Sequence, residues 1–142
     1  MHNVLVLMSV YNGERYIEEQ LDSLFKQENV NIKLNVRDDG SSDNTLSILN
    51  RYKNEGYNIN IYTGENLKPA KSFLWLVNNS DIECFDYFAY CDQDDFWLPE
   101  KLESAINRIG FNSSKPILYY CAAKVTDEKL NNKGLLFTDY RH

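Results

Sequence analysis

The chain has 142 residues, of which 43% are apolar, 25% charged and 13% aromatic. That length suits one α/β core and is too short for two ordinary domains, and 10 Tyr, 7 Phe and 2 Trp supply the apolar surface that disordered chains lack. A net charge of −6 with no basic run argues against a nucleic-acid partner; a phosphate-bearing ligand would need a cation to offset that charge.

The elements alternate from the start. Val4 to Val10 is a continuous apolar run, the pattern of a parallel strand covered on both faces. Asn12-Gly13 turns the chain, and Glu14 to Gln27 reads as a helix whose Ile17, Leu21, Leu24 and Phe25 form one stripe. Ile32 to Arg37 is a second strand, stopped by Asp38-Asp39-Gly40-Ser41-Ser42-Asp43. Asp43 is the expected N-cap of a helix carrying Leu46, Leu49 and Tyr52, ended by Gly56. Ile59 to Tyr62 follows as a short third strand. Pro69 opens a helix with Phe73, Leu76 and Val77 turned inward. Tyr87 to Cys91 is a fourth strand, closed by Asp92-Gln93-Asp94-Asp95, and Pro99 starts a helix with Leu102, Ile106 and Ile109. Ile117 to Ala123 reads as a fifth strand, Asn131 to Gly134 as a turn, and Leu135 to Phe137 as a last strand.

Strand–helix–strand repetition of this kind builds an α/β fold, an open and mostly parallel sheet with helices on both faces. No internal repeat, low-complexity linker or domain boundary interrupts it, so residues 1–142 read as a single domain. Cys84, Cys91 and Cys121 lack metal-ligand spacing and read as reduced thiols of a cytoplasmic protein. The opening apolar run is too short, and has no basic flank, for a secretion signal. No stretch approaches the ~20 apolar residues of a membrane span.

Open sheets bind ligands beyond the carboxyl ends of their strands, and three polar clusters fall there. Asp92-Gln93-Asp94-Asp95 sets three carboxylates within four residues. Asp92 and Asp94 can share Mg²⁺ or Mn²⁺ with substrate oxygens; alternatively the acids form a solvated loop that caps the next helix. Phe96-Trp97-Leu98-Pro99 sets an apolar wall beside them and favours the cation. Asp38-Asp39-Gly40-Ser41 offers a carboxylate for a pyrimidine N–H or a ribose hydroxyl, or an Asx-turn with Gly at a positive φ. In Ser9-Val10-Tyr11-Asn12-Gly13, Tyr11 either stacks on a base or is a half-buried turn residue. Lys71 lies in the first turn of its helix, where anions are attracted, and is either a diphosphate contact or an ordinary surface lysine. His2 and His142 read as bystanders.

In this order and spacing the clusters resemble the bacterial family 2 of inverting glycosyltransferases, with the GT-A (nucleotide-diphospho-sugar transferase-like) fold. Ser9-Val10-Tyr11-Asn12-Gly13 with Tyr16-Ile17 is similar to that family's first strand and helix. Arg37-Asp38-Asp39-Gly40-Ser41-Ser42-Asp43 is similar to its usual V-D-D-G-S-x-D, and Asn66 to Phe73 to its approach to the third helix. Tyr90 to Leu102, with D-Q-D-D-x-W-x-P-x-K-L, resembles its rhamnosyltransferase-like members.

The resemblance implies transfer of a sugar from a UDP- or dTDP-linked donor, with inversion, to a saccharide or lipid-linked acceptor in bacterial polysaccharide biosynthesis. It implies a nucleotide-binding set of Ser9, Tyr11, Asp39, Lys71 and Asp92. Asp92 and Asp94 would form the D-x-D, with Asp94 nearest a Mn²⁺ or Mg²⁺ ion. It also implies a cytoplasmic protein, with peripheral association of the full-length enzyme at the inner face of the membrane. The base that deprotonates the acceptor belongs to the family's later half, and no segment here matches it. Asp127, Glu128 and Asp139 are acids without that context. The expectation is therefore a donor-binding part truncated before the acceptor half, with the base beyond His142. Two other readings share the sheet: a non-catalytic nucleotide- or metal-binding module, and a receiver-type phosphoacceptor domain. The latter places an acid pair after the first strand, where this chain has Tyr-Asn-Gly.

Overall fold

The computed structural model describes residues 1–110 and 115–135. A four-stranded parallel sheet organises the first unit, Met1–Ser104. Its strands are β1 (His2–Val10), β2 (Val30–Asp38), β3 (Ile59–Thr63) and β4 (Tyr87–Cys91), in the order β3-β2-β1-β4. The helices between them are α1 (Ile17–Phe25), α2 (Thr45–Asn54) and α3 (Pro69–Asn79). A further helix, α4 (Lys101–Ile109), follows the last parallel strand.

β1 is central, and its composition explains why. Val4, Leu5, Val6, Leu7, Met8 and Val10 are all buried, so both faces of the strand are covered. Side chains alternate across a strand. Leu5 and Leu7 pack with Leu76 of α3, with Tyr62, Phe73, Trp75 and Phe85 closing around them. Val4, Val6, Met8 and Val10 turn to the other face. There α1 buries Ile17, Leu21 and Leu24, and α2 buries Leu49 and Tyr52. The Tyr52 hydroxyl joins these two helices, donating to the Asp22 carboxylate at 2.6 Å. Across the sheet, the Gln20 amide of α1 donates to the Cys91 thiol of β4. At the end of α2, Gly56 takes a φ of 99°, and the N–H of Tyr57 returns to the Tyr52 carbonyl at 3.2 Å. That is the helix stop expected of a glycine just past the last turn.

Several expectations need correction. On α3, Val77 is exposed, and Ser72 takes the inward place beside Leu76. The capping carboxylate Asp43 stands one residue before the N-cap position, which Asn44 occupies, yet it accepts from both the N–H and the hydroxyl of Thr45. Residues 117–123 form no strand, although their composition is that of a covered one; Leu118 and Tyr120 are exposed. The second unit, Ala105–His142, instead contains a two-stranded antiparallel sheet of β5 (Lys124–Thr126) and β6 (Asn132–Leu135). Its turn falls earlier than expected. Asp127 accepts from the N–H groups of Lys129 and Asn131 and pairs with Lys133 at 3.3 Å, so Asn132 to Gly134 belong to the strand. Phe137, Asp139 and His142 lie outside the described residues.

Candidate functional site

In a parallel sheet every strand delivers its carboxyl end to the same edge. The register aligns Val10 with Asp38 and Met8 with Cys91, so the Tyr11 loop, the Asp39 loop and the Asp92 segment start side by side. Backbone bonds extend the alignment past the strands, from Asp39 N–H to the Val10 carbonyl and from Gly64 N–H to the Asp38 carbonyl, at 2.9 and 3.1 Å.

Side chains then tie the loops together. Asn12 holds a φ of 47°, which Asn tolerates better than most residues. Its N–H donates to the Ser41 hydroxyl, and its amide oxygen accepts from Ser42 N–H, both at 2.9 Å. Gly13 N–H donates to the Thr45 hydroxyl at 2.8 Å. Glu14 is tied across the same gap twice: its N–H donates to the Asp43 carboxylate, and its own carboxylate accepts from Asn44 N–H. On the other side, Gln93 binds the backbone of Tyr11 twice, accepting from its N–H at 2.9 Å and donating to its carbonyl at 3.2 Å. The first three clusters expected from the sequence are thus one connected surface.

The two aspartates at the end of β2 divide their work. Asp38 forms the expected turn, accepting from the N–H and hydroxyl of Ser41, with Gly40 at a φ of 81°. Asp39 is buried. Its Oδ1 accepts from the Arg37 guanidinium and from the Ser72 hydroxyl, and its Oδ2 from Leu67 N–H at 3.0 Å. Arg37 is buried too; it donates to the Glu65 carbonyl and lies over the Trp75 ring at 5.3 Å. Asp39 therefore fastens β2 to the N-terminal turn of α3 and to the loop before it. Lys71 is exposed on that turn, Tyr11 is 47% exposed, and Ser9 is half-buried in β1.

Asp92 and Asp94 are exposed. Desolvation raises the Asp92 carboxyl above the ordinary aspartate range, and the charge of Asp94 adds to it. Asp95 is raised in the same way, by desolvation and then by Asp92 and Asp94, against a hydrogen bond from the Trp97 side chain. The segment beyond is anchored on α1: Trp97 N–H donates to Ser23, and Gln27 bonds both the Leu98 carbonyl and Leu102 N–H. Among the described residues no cluster of three or more Cys, His, Asp or Glu side chains encloses a metal. Asp92 and Asp94 are hard oxygen donors of the kind that Mg²⁺ or Mn²⁺ takes beside waters and diphosphate oxygens, and the charge of Asp94 already bears on Asp92. Burial pushes the Cys91 thiol well up, with Asp95 adding, so it is not a reactive nucleophile.

Sequence reading missed Gln93, Arg37, Asn12 and Thr45. For Gln93 a signal existed, a neutral amide inside a run of acids. For Arg37 there was none: it falls in the polar phase of its strand, with Lys33 and Asn35.

This geometry agrees with a family model, glycosyl transferase family 2, which matches residues 5–137. The chain belongs to glycosyl transferase family 2. It is 40% identical over 121 residues to the dTDP-rhamnosyl transferase RfbG of Shigella flexneri, covering 80% of this chain and 42% of that protein. Among solved structures, S. aureus TarS residues 1–349 in complex with UDP superposes with a TM-score of 0.66 and 26% identity, covering 92% of this chain and 43% of that one. A mannosyltransferase of Pyrobaculum calidifontis, bound to GDP-Man and Mn²⁺, shares the fold at a TM-score of 0.59 and 22% identity, over 66% of this chain and 28% of that one. These neighbours are GT-A glycosyltransferases. The chain thus spans about two-fifths of the length of the curated relative and of TarS. No helix among the described residues is long and apolar enough to cross a membrane.

Proposed function

We propose that this family 2 chain is the donor-binding part of an inverting glycosyltransferase. It would take a UDP- or dTDP-linked sugar and pass it to a saccharide or lipid-linked acceptor at the cytoplasmic face of the membrane, in polysaccharide synthesis. The observation that carries this reading is the cross-linked strand-end surface: the Tyr11, Asp38–Ser42 and Asp92–Asp94 segments joined by Asn12, Gln93 and Thr45. The likeness to a dTDP-rhamnosyl transferase and to a UDP complex supports a pyrimidine donor.

In this reading the exposed Tyr11 ring stacks on the base. Asp39 has one lone-pair position left on Oδ2 after its three bonds, enough for a single N–H or hydroxyl. Ser9 and Lys71 stand toward the nucleotide, Lys71 at a helix start that favours anions. Asp92 and Asp94 would hold the cation. When bound, Mn²⁺ or Mg²⁺ neutralises charge on the departing nucleoside diphosphate. The acceptor's proton goes to a base outside these 142 residues.

Calorimetric titration of UDP, dTDP, ADP and GDP, each with and without Mn²⁺, tests the reading. Tight binding of UDP or dTDP only with the cation is expected. Binding of GDP or ADP as tightly as UDP, or indifference to the cation, would reject it.

A further inference from the structure

Gln93 stands between the two aspartates of the acid segment and spends its whole amide on another loop. Its Oε1 accepts from Tyr11 N–H at 2.9 Å, and its Nε2 donates to the Tyr11 carbonyl at 3.2 Å. The peptide of Tyr11 fixes which end of the amide faces which group, since the reverse orientation would set donor against donor. A carboxamide sets a donor and an acceptor side by side, matched to a peptide N–H and carbonyl, and Asn is one methylene shorter. A second observation concerns the space that the bonded amide occupies. Gly13 lies under the Gln93 side chain, so that a Cβ built there would come to 2.7 Å from Oε1. Gly13 has no positive φ; a Cβ there would push the Gln93 amide, the movable end of a side chain, out of its present place.

We propose that Gln93 is a positioning residue that locks the Tyr11 loop to the acid segment, so that base stacking and diphosphate binding act as one site. This rests on the proposed donor-binding reading. Asn12 holds the same loop from the other side through Ser41 and Ser42. With Gln93 in place, the backbone of Tyr11 is restrained from both neighbouring strands, while its ring stays exposed. Without Gln93 the loop keeps only the ties on its β2 side, through Asn12, Gly13 and Glu14, and the ring loses its fixed aim. Gln93 itself touches no ligand in this scheme.

The experiment is a double-mutant cycle on UDP affinity in the presence of Mn²⁺, read by calorimetry, with circular dichroism and thermal unfolding as fold controls. Gln93→Ala and Tyr11→Ala are each expected to weaken binding about fivefold or more. The double variant should bind within about twofold of Tyr11→Ala, because with no ring to aim the lock has nothing left to do. Gly13→Ala should reproduce the Gln93→Ala loss by displacing the amide, and Gly13→Ala combined with Gln93→Ala should be no worse than Gln93→Ala alone. A generally loosened fold moves none of these couplings. Gln93→Met, which keeps length without the bonds, replaces Gln93→Ala if that variant does not fold. Multiplicative losses in the cycle, or wild-type affinity in Gln93→Ala or Tyr11→Ala, overturn the proposal while leaving donor binding standing. Absence of any nucleotide binding by the unmodified chain overturns the donor-binding reading, and the proposal with it.

Discussion

At the scale of single residues, the decisive contact is Asp39 with Arg37, both buried and sharing their bonds with Ser72 and Leu67. Breaking a buried pair from one side leaves a charge with no partner, which typically costs about 3–5 kcal/mol. Asp39→Ala should therefore lower the unfolding free energy by roughly that amount in urea denaturation. Asp39→Asn, which keeps one acceptor oxygen, enough for Ser72 or for Leu67 but not for both because they bond different carboxylate oxygens, should cost less than Ala. A test of base selectivity needs the Asn variant, because the Ala variant confounds stability with binding. Asp92 has the opposite sign. Its carboxyl is raised by desolvation and by Asp94, so its contribution is favourable while protonated and is lost as pH rises through the folded-state value. At neutral pH and without a cation, Asp92→Asn should raise the melting temperature, a gain that Mn²⁺ and UDP together erase. An unchanged or lower melting temperature would remove the electrostatic argument. What the sequence could not show here was which aspartate does what. Asp38 and Asp39 are adjacent, so they face opposite sides of the strand end, and only the packed faces reveal that Asp38 makes the turn while Asp39 meets Arg37.

At the scale of elements, stability at the site comes from cross-loop caps rather than from regular structure. Asp43 accepts from Thr45 twice and from Glu14 N–H. Burial pulls its carboxyl up, but the Thr45 and Glu14 bonds outweigh that and hold it below 3.8. A depressed carboxylate contributes fully above its unfolded value and loses that contribution as pH falls through the folded one. Asp43→Ala should be less stable than the unmodified chain by about 1 kcal/mol at pH 7, the usual cost of a lost cap. The gap should close as the pH drops below the ordinary aspartate range; a gap constant from pH 7 to 2 would show that the charge plays no part. Strands and helices in the first unit were legible because their apolar periodicity is strong and uninterrupted from Val4 to Leu76. Residues 117–123 were not, because an apolar run specifies a strand only where something covers it, and Leu118 and Tyr120 stay exposed. The turn before β6 was misread for a related reason. Asn131 to Gly134 has turn chemistry, but Asp127 captured the turn first with its own carboxylate.

At the scale of the whole molecule, donor binding and sugar transfer separate into different requirements. All the strand-end groups lie within Met1–Ser104, where register and side-chain ties already hold them together. Nucleotide should therefore stabilise this chain without any further residues. A ligand at a hundred times its dissociation constant adds about 2.7 kcal/mol to the folded state, which for a chain of this size is roughly 5–10 °C in melting temperature. Transfer asks for more, namely an oriented acceptor and a base for its hydroxyl, worth several orders of magnitude in rate. Asp127, one of the three acids that the sequence offers without the context of a base, is committed to its own turn and to Lys133, and its carboxyl is held low by Asn131 first. The 142 residues should thus show a UDP- or dTDP-dependent rise in melting temperature together with little transfer to a saccharide or lipid-linked acceptor. Hydrogen exchange should locate the protection in residues 9–13, 38–45, 64–72 and 91–97, and leave 115–135 unchanged. Protection centred on 115–135 would move the donor site into the second unit. Robust transfer by this chain alone would require a base among its own acids, with Glu128 and Asp139 the first to replace.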